Sequence, residues 1–324
     1  MADPGDVSEL ADEVGRAAGR LRGHVLHTPL VPCPWLSDEL GAEVRLKLEN
    51  VQHTGSFKLR GASHALRTMP AAVRARGVVA ASSGNHGLGL AAAAQQLGVD
   101  AQVFVPTTTP VPKREAIQRY GADVQVHGDD CVVTEAHARA VAAGTGRAYV
   151  SPYNDPAVVA GQGTVMHELL QDWPDVDEVY VALGGGGLIS GMAAYGKAQR
   201  PGVQFVGCSP QASPAMAECV RRDAIVDVPC EQTWSDSTAG GVEPGAVTFG
   251  WCRELVDRFV DVDEPAIARA MRDALARQHL LVEGAVGVAI AACRADRDRR
   301  GQRAAIVVCG GNLPFDLLQR LVRG

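Results

Sequence analysis

The chain alternates short runs of apolar, often β-branched residues with longer stretches in which apolar residues recur at helical spacing. Seven of the short runs predict strands, at 44–48, 77–82, 101–106, 122–127, 178–183, 203–208 and 304–309. Six longer stretches predict helices, at 91–98, 112–120, 136–143, 163–170, 189–199 and 265–278. Because the strands do not alternate between apolar and polar positions, we expect both of their faces to be covered.

The order of these elements predicts the fold class. Strands joined by helices run parallel, because a crossover helix returns the chain to the same end of the sheet. The sequence therefore predicts an α/β protein with two open, mostly parallel sheets flanked by helices. We expect a small domain at 77–150, inserted in a large domain formed by 1–76 and 151–324. The length of 324 residues exceeds the roughly 100–200 residues of one typical domain.

Composition and charge exclude several classes of function. With 46% apolar and 21% charged residues the chain is globular, and its net charge of −6 argues against a nucleic-acid partner. No apolar stretch approaches the ~20 residues of a membrane span, and the polar start MADPGDVSEL differs from a secretory signal, so no membrane partner is expected. The eight cysteines form no C-x-x-C pair, which favours a reduced cytoplasmic location without disulfides.

One lysine stands out because the chain otherwise uses arginine for positive charge. Only four of the 31 basic residues are lysines, and Lys58 lies in GSFKLRGA (55–62), between a Gly-Ser turn and the start of a helical pattern. An amine in a desolvated pocket can attack a carbonyl, which a guanidinium cannot do. A surface lysine at the start of a helix would show the same local pattern.

Two turns that follow predicted strands have the composition of anion sites. SSGNHG (82–87) and GGGGL (184–188) each precede a helix, and free N–H groups at a helix start bind anions. The first turn predicts a carboxylate site, although an ordinary Ser or Asn helix cap would look alike. Four consecutive glycines let main-chain amides converge on a phosphate. The loop lacks the features of Walker and dinucleotide motifs, so we expect a phosphate without a nucleotide.

The motif CGGN (309–312) places a small polar side chain where the last predicted strand ends. Ligands bind at the carboxyl edge of the sheet in this architecture, although a buried structural cysteine is the simple alternative. An amine, a phosphate loop, a carboxylate turn and a small polar group together predict pyridoxal 5′-phosphate as cofactor and an amino acid as substrate.

Six motifs then occur in a recognisable order: GSFKLRGA, SSGNHG, AGQGT (160–164), GGGGLISG (184–191), LVEGA (281–285) and CGGN. With them the chain resembles the fold-type II pyridoxal-phosphate enzymes of the threonine/serine dehydratase and serine racemase family. The resemblance implies a fold like that of the tryptophan synthase β subunit, and a homodimer. The segment 235–249 resembles a family loop that lines the site near the substrate side chain, and its glycine-rich form resembles that of the hydroxyectoine-utilisation dehydratases.

The resemblance also implies roles for the motif residues. Lys58 would carry the cofactor and act as a base, and Ser83 would be the base on the opposite face of the substrate in a racemase. The implied cofactor-binding residues are Phe57, Lys58, Asn85, Gly184, Gly185, Gly186, Gly187, Leu188, Glu283, Cys309 and Gly310. The implied substrate-binding residues are Ser82, Ser83, Asn85 and His86. For Glu283 an ordinary acid at a helix start is an equal alternative.

The favoured function is a lyase that removes water and then ammonia from a β-hydroxy-α-amino acid such as L-threonine, L-serine or 3-hydroxyaspartate, giving a 2-oxo acid. A thiol at 309 does not hold the pyridine nitrogen of the cofactor protonated, which favours elimination over a long-lived carbanion. The alternatives are a serine-type racemase that uses Lys58 and Ser83, and a catalytically silent cofactor-binding protein. No metal is expected, because Ser209, Ser213 and Ala215 stand where serine racemases carry the cation site.

Overall fold

The computed structural model of the chain describes residues 6–299 and 301–323. Within these residues the chain forms fourteen α-helices and ten β-strands. The strands are β1 (Leu30–Pro32), β2 (Glu43–Leu48), β3 (Val78–Ala81), β4 (Ala101–Val105), β5 (Asp123–Val126), β6 (Ala148–Tyr149), β7 (Glu178–Ala182), β8 (Gln204–Pro210), β9 (Arg258–Val262) and β10 (Arg303–Val308). The helices are α1 (Val7–Leu21), α2 (Pro34–Leu40), α3 (Lys58–Thr68), α4 (Ala71–Arg74), α5 (Asn85–Leu97), α6 (Val111–Gln118), α7 (Cys131–Thr145), α8 (Pro156–Asp172), α9 (Gly187–Gln199), α10 (Ala215–Arg221), α11 (Val247–Leu255), α12 (Glu264–Gln278), α13 (Gly284–Ala295) and α14 (Phe315–Arg323).

The strands form two sheets. The larger has six strands in the order β1-β2-β10-β7-β8-β9, and the smaller has four in the order β5-β4-β3-β6. In the described residues, β1 pairs antiparallel with β2, and every other strand pairing is parallel. Helices join the parallel strands, as crossover connections require. The predicted fold class, two open and mostly parallel sheets flanked by helices, is confirmed.

All seven predicted strands are present, and three further strands are not visible in the hydrophobic pattern. Strands β1 and β6 have only three and two residues, too few to produce a pattern. Strand β9 reads RFVDV and lies at the edge of the larger sheet, where four of its five residues are only partly buried. An edge strand does not need the continuous apolar run of a central strand, and this is why β9 was missed.

The six predicted helices are present, and all but α6, which ends at Gln118 instead of 120, are longer than expected. Helix α8 starts at Pro156 instead of 163, and the Asp155 side chain accepts a hydrogen bond from the N–H of Ala157 at 2.8 Å. An Asp cap followed by Pro is a recognised helix start, so this boundary was readable from the sequence. Its glycine-containing second turn, AGQG, obscured the helical pattern.

Three apolar clusters form the core. One surrounds the six-stranded sheet and takes in nearly all of α13, whose sequence GAVGVAIAA is apolar on every side. The second lies on one side of the four-stranded sheet and includes Leu59, Ala62 and Leu66 of α3, and the third, smaller cluster packs α7 against β3 and β4. Helix α3 therefore shares the core of the small sheet although it precedes residue 77, and it packs against α5 and α8. The division into domains at 77 and 150 stays a prediction.

In the part of the chain that the structure describes, no helix has both the length and the apolar character that crossing a membrane requires.

Candidate active site

A cavity of about 700 Å³ lies where strands of both sheets end. The turns after β3, β7 and β10 all reach it, because parallel strands place their carboxyl ends on one edge. Among the nominated residues, its walls include Phe57, Lys58, Ser82, Ser83, Asn85, His86, Gly184, Gly185, Gly186, Gly187, Leu188, Glu283 and Cys309. Gly310 does not line the cavity but lies directly behind the carboxylate of Glu283.

Lys58 is the first residue of α3, and its amine lies inside the cavity. The Nζ atom donates a hydrogen bond to the carbonyl oxygen of Pro152 at 2.8 Å. Burial lowers the pKa of this amine from 10.5 to about 8, although the nearby acidic groups of Cys309 and Glu283 oppose the shift. An amine with this pKa can both hold and release a proton near neutral pH.

The glycine loop connects β7 to α9. Gly186 precedes the first helical residue with φ of 82°, and no side chain caps the helix start, so its first N–H groups are free for a ligand. A Cβ on Gly185 would lie 2.3 Å from the ring of Tyr153, so a side chain has no room there. The Thr248 hydroxyl donates to the carbonyl oxygen of Gly185 at 2.7 Å and holds the loop. The loop has the build of an anion cradle.

The SSGNHG turn connects β3 to α5. Helix α5 begins at Asn85 and its cap residue is Gly84, with no side-chain cap. Neither Ser83 nor Asn85 therefore serves as the helix cap that was the simple alternative for this turn. The Ser82 hydroxyl accepts from the N–H of Gly84 at 3.2 Å, and Ser83 is half-buried in the cavity wall. This uncapped helix start offers its N–H groups to a carboxylate.

His86 lies in the same turn and is almost fully buried. Its Nε2 lies 2.8 Å from the carbonyl oxygen of Val150, and because a carbonyl only accepts, Nε2 carries the ring hydrogen. Burial and the nearby Lys58 lower the pKa of His86 to about 3, so the ring is neutral and Nδ1 is an acceptor. The ring has no second N–H to offer, and residue 86 can serve a carboxylate only through its main chain.

Asn85, Glu283 and Asn312 form a chain of hydrogen bonds across the cavity wall. The Nδ2 of Asn85 donates to both carboxylate oxygens of Glu283, at 3.0 and 2.9 Å, and the Nδ2 of Asn312 donates to Oδ1 of Asn85 at 2.7 Å. Burial raises the pKa of Glu283, although the bond from Asn85 opposes the shift. The Cys309 thiol lies 3.9 Å from Glu283, and burial raises its pKa, so it stays neutral.

A buried ion cluster lies behind Lys58 and anchors α3. Arg60 donates to both oxygens of Glu49, at 2.8 Å, and to both oxygens of Glu168, at 2.6 and 2.9 Å. Lys47 donates to Glu168 at 2.8 Å, and the Thr28 hydroxyl donates to Glu49 at 2.6 Å. Both cations and both carboxylates are less than 9% exposed, so their charges are matched inside the protein.

Several residues of the cavity were not nominated from the sequence. Tyr153 covers the glycine loop, and Lys113 of α6 lies 3.6 Å from Asp236 in the wall. Lys113 is one of the four lysines, which was the only signal that marked it. The glycine-rich segment, in contrast, was expected from the resemblance to line the site, and its stretch 236–241 does line the cavity.

The positions at which serine racemases carry a cation site hold Ser209, Ser213 and Ala215 in this chain, and none of these has a carboxylate. Ser213 accepts a hydrogen bond from the N–H of Gly240 at 3.2 Å, and the Ser209 hydroxyl is buried. Among residues 6–299 and 301–323, no three His, Cys, Asp or Glu side chains come together as metal ligands. The absence of a metal cofactor stays a prediction.

These features fit pyridoxal phosphate: a partly desolvated amine, a cradle of glycines in which a Cβ would collide, and an uncapped helix start nearby. The model of the family described as pyridoxal-phosphate dependent enzyme matches residues 21–310. The chain therefore belongs to the pyridoxal-phosphate dependent enzymes, which confirms the predicted cofactor.

Similar proteins indicate which group of pyridoxal-phosphate dependent enzymes the chain belongs to. The chain is 38% identical over 313 residues to the L-threonine ammonia-lyase of Thermotoga maritima, covering 96% of this chain and 77% of the relative. The processed form of threonine deaminase isoform 2 from Solanum lycopersicum superposes with a TM-score of 0.92 at 31% identity, covering 98% of this chain and 89% of the other. Maize serine racemase superposes with a TM-score of 0.91 at 29% identity, covering 96% of both chains. The protein is thus a fold-type II lyase of the threonine/serine dehydratase family, as the motifs predicted.

Proposed function

We propose that the protein removes water from a β-hydroxy-α-amino acid of the L-threonine, L-serine or 3-hydroxyaspartate type and releases a 2-oxo acid and ammonia. The observation that carries the proposal is the meeting of Lys58, the glycine loop and the SSGNHG turn in one cavity. The threonine ammonia-lyase and threonine deaminase relatives support the same reaction type.

The chain has a residue for each part of the cofactor. Gly184 to Leu188 would hold the phosphate, Lys58 the aldehyde carbon, Asn85 the phenolic oxygen, and Cys309 the pyridine nitrogen. When bound, the cofactor supplies a carbonyl that bonds to the substrate amine and a ring that withdraws electrons from the substrate Cα.

The protein residues then move one proton and fix the substrate. The N–H groups at the start of α5 would bind the substrate carboxylate, with the hydroxyls of Ser82 and Ser83 beside them. The Nζ of Lys58 would take the proton from Cα, a task for which a near-neutral pKa suits it. The thiol of Cys309, whose pKa is raised by burial, would stay neutral and would leave a bound pyridine nitrogen unprotonated, which would favour loss of the β-hydroxyl over return of the proton to Cα.

Racemisation is the second candidate. Ser83 lines the same cavity as Lys58, so each face of a bound substrate could meet a base, and the fold superposes closely on a serine racemase. The silent cofactor-binding alternative has no observation in its favour, because the chain belongs to a family of enzymes and keeps the lysine.

We further propose a cytoplasmic homodimer without nucleic-acid or membrane partners. The family resemblance supports the homodimer, and the net charge of −6 supports the absence of a nucleic-acid partner.

A panel of substrates tests the proposal. Purified holoenzyme is given L-serine, L-threonine and 3-hydroxyaspartate separately, and 2-oxo acid, ammonia and the other enantiomer are measured. We expect 2-oxo acid and ammonia in equal amounts from at least one substrate. Rapid formation of D-serine without 2-oxo acid would establish the racemase, and no product from any substrate would contradict both.

A further inference from the structure

We propose that Glu283 and Asn312 are positioning residues that fix the amide orientation of Asn85, so that one Asn85 N–H is kept for the cofactor. The inference rests on the proposed role of Asn85 as a ligand of the cofactor's phenolic oxygen. It gives a task to Glu283, for which the sequence left two interpretations open, and to Asn312, which had none.

The orientation of Asn312 is unambiguous. Its Nδ2 lies 2.9 Å from the carbonyl oxygen of Thr54 and 2.7 Å from the side-chain oxygen of Asn85. A carbonyl oxygen can only accept, so the amide nitrogen and not the oxygen of Asn312 must lie beside Thr54. Both N–H bonds of Asn312 are then used, one on each partner. The atom of Asn85 that faces Asn312 must be an acceptor, which is its oxygen.

Glu283 specifies the other end of the Asn85 amide. Its two oxygens lie 3.0 and 2.9 Å from the Nδ2 of Asn85, and because Asn312 already faces the oxygen of Asn85, it is the NH₂ group of Asn85 that donates to these oxygens. If the Asn85 amide were rotated by half a turn, its oxygen would face the carboxylate and its NH₂ group would face the NH₂ group of Asn312. Both contacts would be repulsive in a buried setting, so two residues select one of the two orientations.

This arrangement uses only half of the donor capacity of Asn85. The two oxygens of one carboxylate lie close together, whereas the two N–H bonds of an amide diverge widely. One N–H therefore points at Glu283, and the other points away from it. Within the described part of the chain, the Nδ2 of Asn85 has no acceptor besides Glu283. The second N–H is available to an oxygen of a ligand in the cavity that Asn85 lines.

The backbone makes room for both positioning side chains. A Cβ on Gly310 would lie between 2.6 and 2.9 Å from three atoms of the Glu283 carboxylate group. A Cβ on Gly55 would lie 2.6 Å from the Oδ1 of Asn312, and Gly55 also has a φ of 71° that favours glycine. Glycines of two separate motifs thus permit the close approach, and the Ser237 hydroxyl donates to Glu283 at 3.3 Å and helps to hold it.

Four variants separate orientation from packing and from charge. The dissociation constant for pyridoxal phosphate is measured by titrating cofactor-free protein, together with the absorbance spectrum of the complex and the melting temperature of the cofactor-free form. Asn312→Asp keeps the volume of the side chain but removes the donor, so Asn85 is expected to turn its N–H groups toward it. We expect Asn312→Asp to raise the dissociation constant for pyridoxal phosphate about tenfold, which corresponds to about 1.4 kcal/mol. The increase should be larger in Asn312→Asp than in Asn312→Ala.

The same comparison is made at Glu283. Glu283→Gln keeps an acceptor for Asn85 without the charge, whereas Glu283→Leu keeps only the approximate size. We expect the Gln variant to stay near the wild-type affinity and the Leu variant to lose about tenfold, as for Asn312→Asp. Equal losses in the two variants would show that Glu283 acts through its charge, and the inference would be wrong.

A double variant shows whether Asn312 acts through Asn85 or independently of it. If Asn312 acts through Asn85, Asn312→Asp has no further effect in an Asn85→Ala background, whereas an independent packing role gives additive losses. Asn50→Ala is the matched control, because Asn50 lies near the CGGN motif without touching Asn85 and should leave the affinity unchanged. Additive losses, or a greater loss in Asn312→Ala than in Asn312→Asp, overturn the inference. An Asn85→Ala variant with wild-type affinity would instead refute the proposed role of Asn85 itself.

Discussion

Replacement of Gly185 by alanine should separate cofactor binding from folding. A Cβ built on Gly185 lies 2.3, 2.5 and 2.6 Å from three carbons of the Tyr153 ring. Carbon atoms in contact are normally about 3.5–4.0 Å apart, so the new methyl group overlaps the ring by more than about 1 Å. An aromatic ring cannot bend away, and either Tyr153 or the glycine loop must move.

The size of the effect follows from this overlap. Overpacking of this kind costs typically about 1–3 kcal/mol. Since the loop supplies the main-chain N–H groups of the proposed phosphate site, we expect most of the cost to appear when the cofactor binds. The dissociation constant for pyridoxal phosphate should then rise about 10- to 100-fold, at tenfold for each ~1.4 kcal/mol. The melting temperature of the cofactor-free protein should change less.

The assay is a fluorescence titration of cofactor-free protein with pyridoxal phosphate, run beside a matched glycine. Gly241 lines the same cavity, and a Cβ there meets no atom within 4 Å, so Gly241→Ala should bind like wild type. Adding Tyr153→Ala to Gly185→Ala removes the clash and should restore part of the affinity. Wild-type affinity in Gly185→Ala alone would refute the argument, because it would show that the loop does not need its glycine geometry for the cofactor.

Three further predictions concern the amine of Lys58, the role of Ser83 and the buried ion cluster around Arg60. Because burial lowers the pKa of Lys58 to about 8, its acylation in cofactor-free protein should rise with pH around a midpoint near 8, as mapped by mass spectrometry; a midpoint near the ordinary 10.5 would contradict the burial argument. Ser83→Ala should raise KM for every substrate if the serine binds the carboxylate, and should abolish only D-isomer formation if it is a base. Arg60→Met should lower the free energy of unfolding by roughly 3–5 kcal/mol at pH 7, because it leaves buried carboxylates unpaired, whereas Arg16→Met at an exposed pair should produce no measurable change in denaturant unfolding. Burial alone would raise the pKa of Glu168, but hydrogen bonds and charge from Arg60 and Lys47 hold it below 4.5. The contribution of this ion pair to the free energy of unfolding is therefore present above pH 4.5 and is lost as the pH falls below that value.

The sequence predicted the parts of the site that depend on residue type, and not those that depend on packing. Lys58 and the glycine loop were readable because an amine and residues without a Cβ are chemical requirements that few other residues meet. The contact of Asn85 with Glu283 joins residues 198 positions apart, and that with Asn312 joins residues 227 apart. Such contacts depend on how the two sheets are placed together, which no local pattern encodes.

The role expected for His86 shows the same limit. Its position in SSGNHG was readable, but the direction of its ring depends on the carbonyl of Val150, which lies beyond the next three strands along the chain. Tyr153 was passed over for a related reason. It lies in a Pro-containing turn that looks like an ordinary connection, and only the packed structure brings its ring against Gly185.

The products released from L-threonine or L-serine by the holoenzyme and by Lys58→Ala test the central claim most directly. The measurement follows 2-oxo acid and ammonia in the same reaction, with bound cofactor monitored by absorbance. We predict equimolar 2-oxo acid and ammonia from the wild-type protein, and neither product from Lys58→Ala. Of the other three lysines only Lys113 lines the cavity, and its amine lies 3.6 Å from the carboxylate of Asp236. Elimination at the wild-type rate by Lys58→Ala, or a holoenzyme that racemises these amino acids without releasing ammonia, would contradict the account.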